Sequence, residues 1–483
     1  MPRSKATSAT AAILLGCAAP TLAAESGGGH ADPFAGVLLS LAAVIVIAMV
    51  GRWVAQALDQ PSVLGELLAG VVVGNFGFWL GAPLFVLIMH LGNAQPIFAL
   101  VWNSGLDVAA AAARVYSPAE LEPGGVGAAV VAILTGPHAS EHIIAAAGLW
   151  LFSNLGVILL LFMVGLESTV AEMLAVGPRA LAVALVGVIA PFTLGYAASA
   201  WLVPETPSSV HLFVGATLCA TSVGITARVF KDLDRLQTAE AKIILGAAVI
   251  DDVLGLVILA VVSGIVASGG VSIGEIARIS LLSALFLGVV ILFGERLVKA
   301  MVPVMEALDR RHLRLLFPLA LAFGLSWLAN QIELAAIVGA FAAGLILNEK
   351  QFPKLSGEHA IEIAQMIHPL EAIFAPVFFV LMGMQVNLAT FGAGDTIVVA
   401  LALTLVALFS KSISGLPAGA GVDKMTIGMG MIPRGEVGLI FASVGKALGV
   451  VDEGLFSAIV IVVILTTLAA PLLLKWSMSR APS

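Results

Sequence analysis

The chain has 483 residues, of which 60% are hydrophobic and only 11% are charged. Its mean hydropathy is +1.08, whereas a soluble domain carries about 25% charged residues, so the composition excludes a soluble protein and predicts an integral membrane protein. The net charge of −7 decides little, because the side on which charges lie matters more than their sum. We expect the lipid bilayer and no nucleic acid as partner. We also expect no disulfide, since Cys17 lies in an N-terminal leader and Cys219 in an apolar segment.

The first residues are typical of a secretory signal peptide. Arg3 and Lys5 form a basic region, AAILLGCAA is a short apolar core, and Ala23 and Ala24 offer a cleavage site. An uncleaved N-terminal segment is the alternative. We therefore predict a signal peptide at 1–24 and assign 25–483 to a single membrane domain.

The rest of the chain predicts an all-α polytopic membrane protein with thirteen transmembrane helices. The predicted spans lie near 34–58, 61–81, 148–168, 177–203, 208–230, 240–267, 273–301, 314–331, 333–348, 367–388, 395–416, 424–449 and 455–476. Sixteen Lys and Arg residues fall in loops assigned to the inside and three in those assigned to the outside, as the positive-inside rule requires. We therefore expect a multi-pass protein of the bacterial inner (plasma) membrane, with its N-terminus outside and its C-terminus in the cytoplasm.

An internal repeat relates the two halves of the chain at an offset of seven spans. Three pairs of segments share a pattern: LLAGVVVGN (67–75) with FAAGLILN (341–348), LLFMVGLES (160–168) with FFVLMGMQV (378–386), and SVG (222–224) with EVG (436–438). An odd offset reverses orientation, so we predict inverted repeats, which are a transporter signature. The first half carries an insertion at about 83–145. We expect external amphipathic helices there, and an additional helical hairpin is the alternative.

An acidic pair, Asp251 and Asp252, lies near the middle of the sixth predicted span. A charged side chain at that depth costs roughly 2.5–3.5 kcal/mol, so the pair predicts a pathway for cations or protons. A structural pair held against a basic residue is the alternative. The fifth and twelfth spans are interrupted, the fifth at Thr221 and Ser222 and the twelfth at Pro433. Two discontinuous helices that face each other supply dipole ends and free carbonyls at a buried site.

Three other charged residues are predicted charge partners of this site. Lys411 lies inside the eleventh span, where its ammonium needs an anion such as the acidic pair; snorkelling toward the inner surface is the alternative. Arg434 and Glu436 flank the break in the twelfth span, where they either form a structural ion pair or act in the site directly. Glu371 in the tenth span is a weaker candidate near the inner mouth.

Six segments, taken together and in order, resemble prokaryotic sodium/proton antiporters of the second cation:proton antiporter family. They lie between about 61 and 470 and read GELLAGVVVGN, LGVILLLFMVGLES, ATSVGITARVF, GAAVIDDVLGLVIL, FFVLMGMQVNL and MIPRGEVGLIFA. The resemblance implies that Asp251 and Asp252 bind Na⁺ or Li⁺ and H⁺ in turn, that Lys411 is their charge partner, and that the interrupted helices cross. It also implies a homodimer, a dimerisation part interleaved with a moving core, elevator-type alternating access, and no cofactor.

The expected function is therefore electrogenic exchange of Na⁺ or Li⁺ for protons, not an enzymatic activity, with oxygens of Thr221 and Ser222 helping to bind the cation. In the expected mechanism Asp252 binds either the cation or a proton, and Asp251 pairs with Lys411 in the protonated, cation-free state. Potassium-type relatives carry glutamine before the aspartate and a cytosolic nucleotide-binding domain, whereas this sequence has Asp251 and ends at Ser483. Potassium/proton exchange is the alternative within the family, and sodium-coupled symport of organic anions is the alternative outside it. An intramembrane aspartyl protease is weaker, because Asp395 of the string GAGD lacks the usual Tyr-Asp companion.

Overall fold

The structure is a computed structural model. It describes residues 33–480 except 168, 269–272, 310–311, 349–350, 353–361 and 390–393. The predicted signal peptide at 1–24 lies outside the described residues.

The described residues form an all-helical fold, as the composition predicts. In chain order the α-helices are α1 (Pro33–Ala57), α2 (Ser62–Trp79), α3 (Pro83–Met89), α4 (Leu91–Ser104), α5 (Val108–Ala112), α6 (Val126–Thr135), α7 (Ala139–Leu166), α8 (Val170–Leu202), α9 (Ser208–Thr217) and α10 (Val223–Asp232). They continue with α11 (Ala239–Ser268), α12 (Ile273–Leu308), α13 (Leu313–Gln331), α14 (Ala336–Ile346), α15 (Ile363–Met384), α16 (Gly394–Ile413), α17 (Lys424–Gly430), α18 (Glu436–Ala447) and α19 (Glu453–Arg480).

Ten helices among the described residues are long and apolar enough to cross a membrane. They coincide with ten of the thirteen predicted spans, and the three others differ for a visible reason. The fifth predicted span occurs as two short helices, α9 and α10, and the twelfth as α17 and α18. The ninth occurs as α14, which has only 11 residues. The coarse class, a polytopic helical membrane protein, is therefore confirmed, while the count of thirteen depends on how these short helices are joined.

The insertion at 83–145 contains α3 to α6 and the beginning of α7. Helices α3 and α4 meet at a bend of 81°, and as a pair they are apolar enough for a broken span or a re-entrant loop, which would raise the count of candidate spans to 11. The insertion has its own apolar core, built from buried residues that include Leu87, Ile97 and Val130. Burial of these apolar side chains packs the helices of the insertion against one another.

The chain divides into two compact units, each with its own packing. The first contains the described residues up to Leu58, together with Leu64–Asn154 and Pro376–Leu388. Within it, the Asn75 side chain donates to the carbonyls of Val71 and Val386, at 2.8 and 2.7 Å. Its own oxygen accepts from the backbone N–H of Leu388 at 2.8 Å. The second unit contains Asp59–Val63, Leu155–Ala375 and the described residues from Ala389 onward, and it holds the candidate site.

Four of the glycines in the sequence repeat lie at two close contacts between helix backbones, here called glycine crossings. In the first unit, a Cβ at Gly70 would lie 2.2 Å from the Val380 carbonyl oxygen and 3.0 Å from the Cα of Gly383. In the second unit, a Cβ at Gly165 would lie 2.3 Å from the Phe341 carbonyl oxygen and 3.0 Å from the Cα of Gly344. Only glycine permits such close backbone contact. The first crossing joins the second and tenth predicted spans, and the second crossing joins the ninth and third. The repeat relates the second span to the ninth and the third to the tenth, so the two crossings match each other.

Candidate functional site

Two helix interruptions lie together in the second unit. Residues 218–222 separate α9 from α10, and residues 431–435 separate α17 from α18. In the first interruption, threonine and serine side chains offer the backbone alternative hydrogen bonds. In the second, Pro433 has no N–H to continue the helical ladder. Both interruptions therefore leave backbone carbonyl and amide groups without helical partners, and these groups must form hydrogen bonds elsewhere.

The two interruptions are joined to each other by hydrogen bonds. The backbone N–H of Ser222 donates to the Pro433 carbonyl at 2.7 Å. The hydroxyl of Thr226 donates to the Gly430 carbonyl at 2.7 Å. The hydroxyl of Thr221 lies 3.4 Å from the Met431 carbonyl, at the long end of a hydrogen bond. Ser222 thus contributes through its backbone amide, while its side chain makes no capping bond to α10.

A buried ion pair lies against the first interruption. The ammonium of Lys411, on α16, donates to the Thr221 hydroxyl at 2.7 Å and lies 3.3 Å from Oδ2 of Asp251, on α11. Lys411 is fully buried and Asp251 is 2% exposed. Water therefore screens this pair little, and the carboxylate requires a positive charge beside it. A metal cation that took the place of the ammonium would meet the same oxygens.

The two neighbouring aspartates are not equivalent. Successive residues of an α-helix are turned by about 100°, so the side chains of Asp251 and Asp252 leave α11 in different directions. Asp251 points to Lys411 and is buried, whereas Asp252 is partly exposed. The structure therefore brings Lys411, Asp251 and Thr221 into contact, with Asp252 beside them on the more accessible face of the helix.

Arg434 contacts backbone carbonyls of both interruptions. Its Nη2 donates to the carbonyl of Leu218, at the end of α9, and its Nη1 donates to that of Ile432 at 3.2 Å. Carbonyls at a helix end lack partners within the helix and carry partial negative charge, so a guanidinium stabilises them. The sequence predicted an ion pair with Glu436 as one possibility. Glu436 begins α18, and its side chain lies outside the described part of the structure.

A second ionic cluster lies at the far end of α10. Glu371 is 2% exposed. Its carboxylate contacts Nη1 of Arg228 at 3.3 Å and Nζ of Lys231 at 2.9 Å. Arg228 also contacts Asp232 at 2.9 Å. The sequence ranked Glu371 as a weak candidate and missed its partners. The signal for them was the spacing of Arg228 and Lys231, which puts both on one face of a helix.

Glu167, which follows α7, belongs to the same region. Burial raises the pKa of its carboxyl, while the charge of Lys231 lowers it and those of Glu371 and Asp234 raise it further. Its backbone carbonyl accepts a hydrogen bond from the Gln237 side chain. This residue was not singled out from the sequence, because a lone carboxylate at a helix end is ordinary.

The oxygens around Lys411 suit a hard cation. Carboxylate, hydroxyl and carbonyl oxygens are the ligands that alkali and alkaline-earth ions prefer. Within the part of the chain that the structure describes, no three His, Cys, Asp or Glu side chains converge on a resident metal site. A cation bound beside Asp251 and Thr221 would be held by a small number of oxygens.

Comparison with known proteins points in the same direction. Residues 108–480 match the family described as sodium/hydrogen exchanger, transmembrane. The chain is 37% identical over 448 residues to the high-affinity Na⁺/H⁺ antiporter NhaS3 of Synechocystis, covering 90% of this chain and 88% of the relative. It is 36% identical over 363 residues to the Na⁺/H⁺-K⁺ antiporter GerN of Bacillus cereus, covering 74% of this chain and 90% of the relative.

A solved structure supports the fold. The sodium proton antiporter MjNhaP1 from Methanocaldococcus jannaschii at pH 8 superposes with a TM-score of 0.52 at 14% identity, covering 90% of this chain and 98% of that one. The family match and the identity to the relatives together settle the class of protein. The chain belongs to the transmembrane sodium/hydrogen exchanger family, and is a transporter that exchanges monovalent cations for protons and not an enzyme.

Proposed function

We propose that this protein exchanges Na⁺ or Li⁺ for protons electrogenically, with Asp251 and Asp252 as the cation-binding and proton-binding groups. The observation that carries the proposal is the buried contact of Lys411 with Asp251 and Thr221, at 3.3 and 2.7 Å. An internal ammonium on a carboxylate, beside interrupted helices, is an arrangement in which a transported cation competes with a protonated amine. Relatives named as Na⁺/H⁺ antiporters support Na⁺ as the exchanged cation.

The exchange follows from charge balance at the site. In the proton-loaded state, Lys411 is protonated and paired with ionised Asp251, and Asp252 carries a proton. A sodium ion then binds both carboxylates, with oxygens of Thr221 and Ser222 and nearby carbonyls. Asp252 and Lys411 each release a proton, because burial disfavours an ammonium that has lost its carboxylate. Two protons are thus exchanged for one Na⁺, and one net charge moves in each cycle.

The architecture we propose for this mechanism has thirteen spans. It joins α9 to α10 and α17 to α18 as two crossed discontinuous helices, and counts α14 as a short ninth span. The matched glycine crossings support inverted repeats, with spans 1–6 related to 8–13. Alternating access would be of the elevator type, in which a core part carries the site across the membrane against a dimerisation part. The homodimer follows from the family resemblance.

The proposed location is the bacterial inner membrane, with the N-terminus outside and the C-terminus in the cytoplasm. The excess of Lys and Arg in the loops assigned to the inside supports this orientation. In this orientation the insertion at about 83–145 lies on the external side, and the cluster around Glu371 lies near the inner mouth of the site.

A second candidate within the family is potassium/proton exchange. One relative with 36% identity is named a Na⁺/H⁺-K⁺ antiporter, so the transport assay must include K⁺ as well as Na⁺ and Li⁺. Two carboxylates create a strong field, which compensates for the dehydration of small ions better than of large ones. We therefore propose that Na⁺ and Li⁺ are exchanged well and K⁺ poorly.

The test uses purified protein in liposomes that contain a pH-sensitive dye. Addition of NaCl, LiCl or KCl to acid-loaded vesicles measures cation-driven proton efflux for each ion. We expect Na⁺ and Li⁺ to drive efflux and K⁺ to drive little. Asp251→Gln should weaken the response to Na⁺ relative to K⁺. An absence of cation-driven proton movement in the wild type would refute the function, and equal responses to Na⁺ and K⁺ would refute the selectivity alone.

A further inference from the structure

Five successive carbonyls, from Gly430 at the end of α17 to Arg434 in the second interruption, each accept a hydrogen bond from a donor other than the usual helical N–H. Their donors are, in order, the hydroxyl of Thr226 to Gly430, the hydroxyl of Thr221 to Met431, Nη1 of Arg434 to Ile432, the N–H of Ser222 to Pro433, and the hydroxyl of Thr467 to Arg434. A buried carbonyl that loses its donor costs about 1–3 kcal/mol. These bonds hold the backbone of Gly430 to Arg434 in place.

Thr467 is the one donor among these five that comes from outside the two interruptions and the helix α10 that follows the first. It lies in the middle of α19, is 6% exposed, and donates its hydroxyl to the Arg434 carbonyl. Arg434 in turn donates from its guanidinium to the carbonyl of Leu218, at the end of α9. Thr467 is thus connected through one residue to the first interruption, three positions before Thr221.

The sequence repeat relates the position of Thr467 to that of the acidic pair. At the offset of 214 residues that aligns Ser222 with Glu436, Asp251 and Asp252 align with Leu465 and Thr466. Thr467 is therefore the residue next to the place that the acidic pair holds in the first repeat. One half of the repeat presents carboxylates to the interruptions, and the other presents a hydroxyl that binds the backbone.

We propose that Thr467 is a positioning residue of the cation site. It acts through Arg434: with the Arg434 carbonyl held by the Thr467 hydroxyl, the guanidinium stays on the end of α9, and Thr221 stays within reach of Lys411 and Asp251. The inference rests on the proposed exchange function. It predicts that loss of one hydroxyl on α19 weakens cation binding, although Thr467 touches neither the cation nor the acidic pair.

Thr466 provides a matched control for this inference. It is also buried, at 0% exposure, but its hydroxyl donates only within its own helix, to the carbonyls of Val462 and Val463 at 2.8 and 3.1 Å. Threonine and valine have nearly the same shape, so Thr467→Val and Thr466→Val remove the same group from adjacent positions. Thr467→Ser keeps the hydroxyl and serves as the conservative variant.

The experiment measures proton efflux against Na⁺ concentration in liposomes for the wild type and the three variants, with the melting temperature of each protein in detergent. We expect Thr467→Val to raise the KM for Na⁺ about fivefold to tenfold, while Thr466→Val and Thr467→Ser stay within about twofold of wild type. If Thr467→Val does not fold, Thr467→Ala replaces it under the same criterion.

The possible results separate the positioning role from a structural one and from the function itself. A lower melting temperature of Thr467→Val with an unchanged KM would overturn the positioning role. Equal shifts of KM in the Thr466 and Thr467 variants would overturn it as well. A wild type without Na⁺-driven proton movement would remove the proposed function, whereas an active wild type with a normal Thr467→Val would remove only this inference.

Discussion

Replacing Lys411 with methionine removes the ammonium from the site while keeping most of the side-chain volume. The ammonium is fully buried and 3.3 Å from Asp251, which is 2% exposed. Removing one partner of a buried ion pair costs about 3–5 kcal/mol if the other stays charged. We therefore expect Asp251 to retain a proton throughout the cycle of this variant. Exchange would then involve one proton for each Na⁺ at Asp252, and no net charge would move.

The dependence of the equilibrium Na⁺ gradient on membrane potential tests this change directly. One elementary charge moved across 100 mV is worth about 2.3 kcal/mol, which is about 50-fold in an equilibrium ratio. In wild-type liposomes, a clamped potential of that size should shift the equilibrium Na⁺ gradient at fixed ΔpH by about this factor. In Lys411→Met the shift should vanish. Lys475→Met is the control, because Lys475 pairs at 2.8 Å with Asp59, whose side chain is fully exposed. The same voltage dependence in Lys411→Met and wild type would refute the reasoning.

Three further predictions concern single carboxylates. Asp252→Asn should abolish Na⁺-driven proton efflux in liposomes and leave the melting temperature near that of wild type; turnover at the wild-type rate would contradict the mechanism. Glu371→Gln removes the carboxylate that Lys231 contacts and one of the two that Arg228 contacts, and should destabilise the protein by about 3 kcal/mol, read as a lower melting temperature. The same change at Glu333, in an exposed pair, should cost less than about 1 kcal/mol, and equal losses would argue against the buried network. Burial raises the pKa of Glu167, so its contribution to stability is present at low pH and declines as pH rises through its ordinary value toward the raised one. Glu167→Gln should flatten that part of the melting temperature plotted against pH, and an unchanged profile would contradict this assignment.

Much of the architecture follows from local sequence alone, because a bilayer allows few backbone solutions. A helix satisfies its own amides and carbonyls, so each long apolar segment can be assigned without knowing its neighbours. Ten helices coincide with predicted spans for this reason. The interruptions are also readable locally, since Pro433 lacks a donor and the hydroxyls of Thr221 and Ser222 compete for backbone partners.

Tertiary structure decided which charges meet. The sequence offered either carboxylate of the acidic pair as the partner of Lys411, and the mechanism expected from it placed the ammonium on Asp251 in the cation-free state. The turn of α11 relative to α16 selects Asp251 and leaves Asp252 partly exposed. For Arg434, the fold brings the Leu218 carbonyl within reach from 216 residues away, a partner that the sequence did not indicate.

Sequence by itself thus determined the class of fold, the helices that cross the membrane without interruption, and the few charged residues whose cost inside a membrane indicates a functional role. Those properties depend on the transfer of single segments from water into lipid. The donors for the successive carbonyls from Gly430 to Arg434 were decided by the tertiary structure. They depend on residues far apart in the chain, such as Thr467 and Arg434, whose contact exists only after the helices have packed.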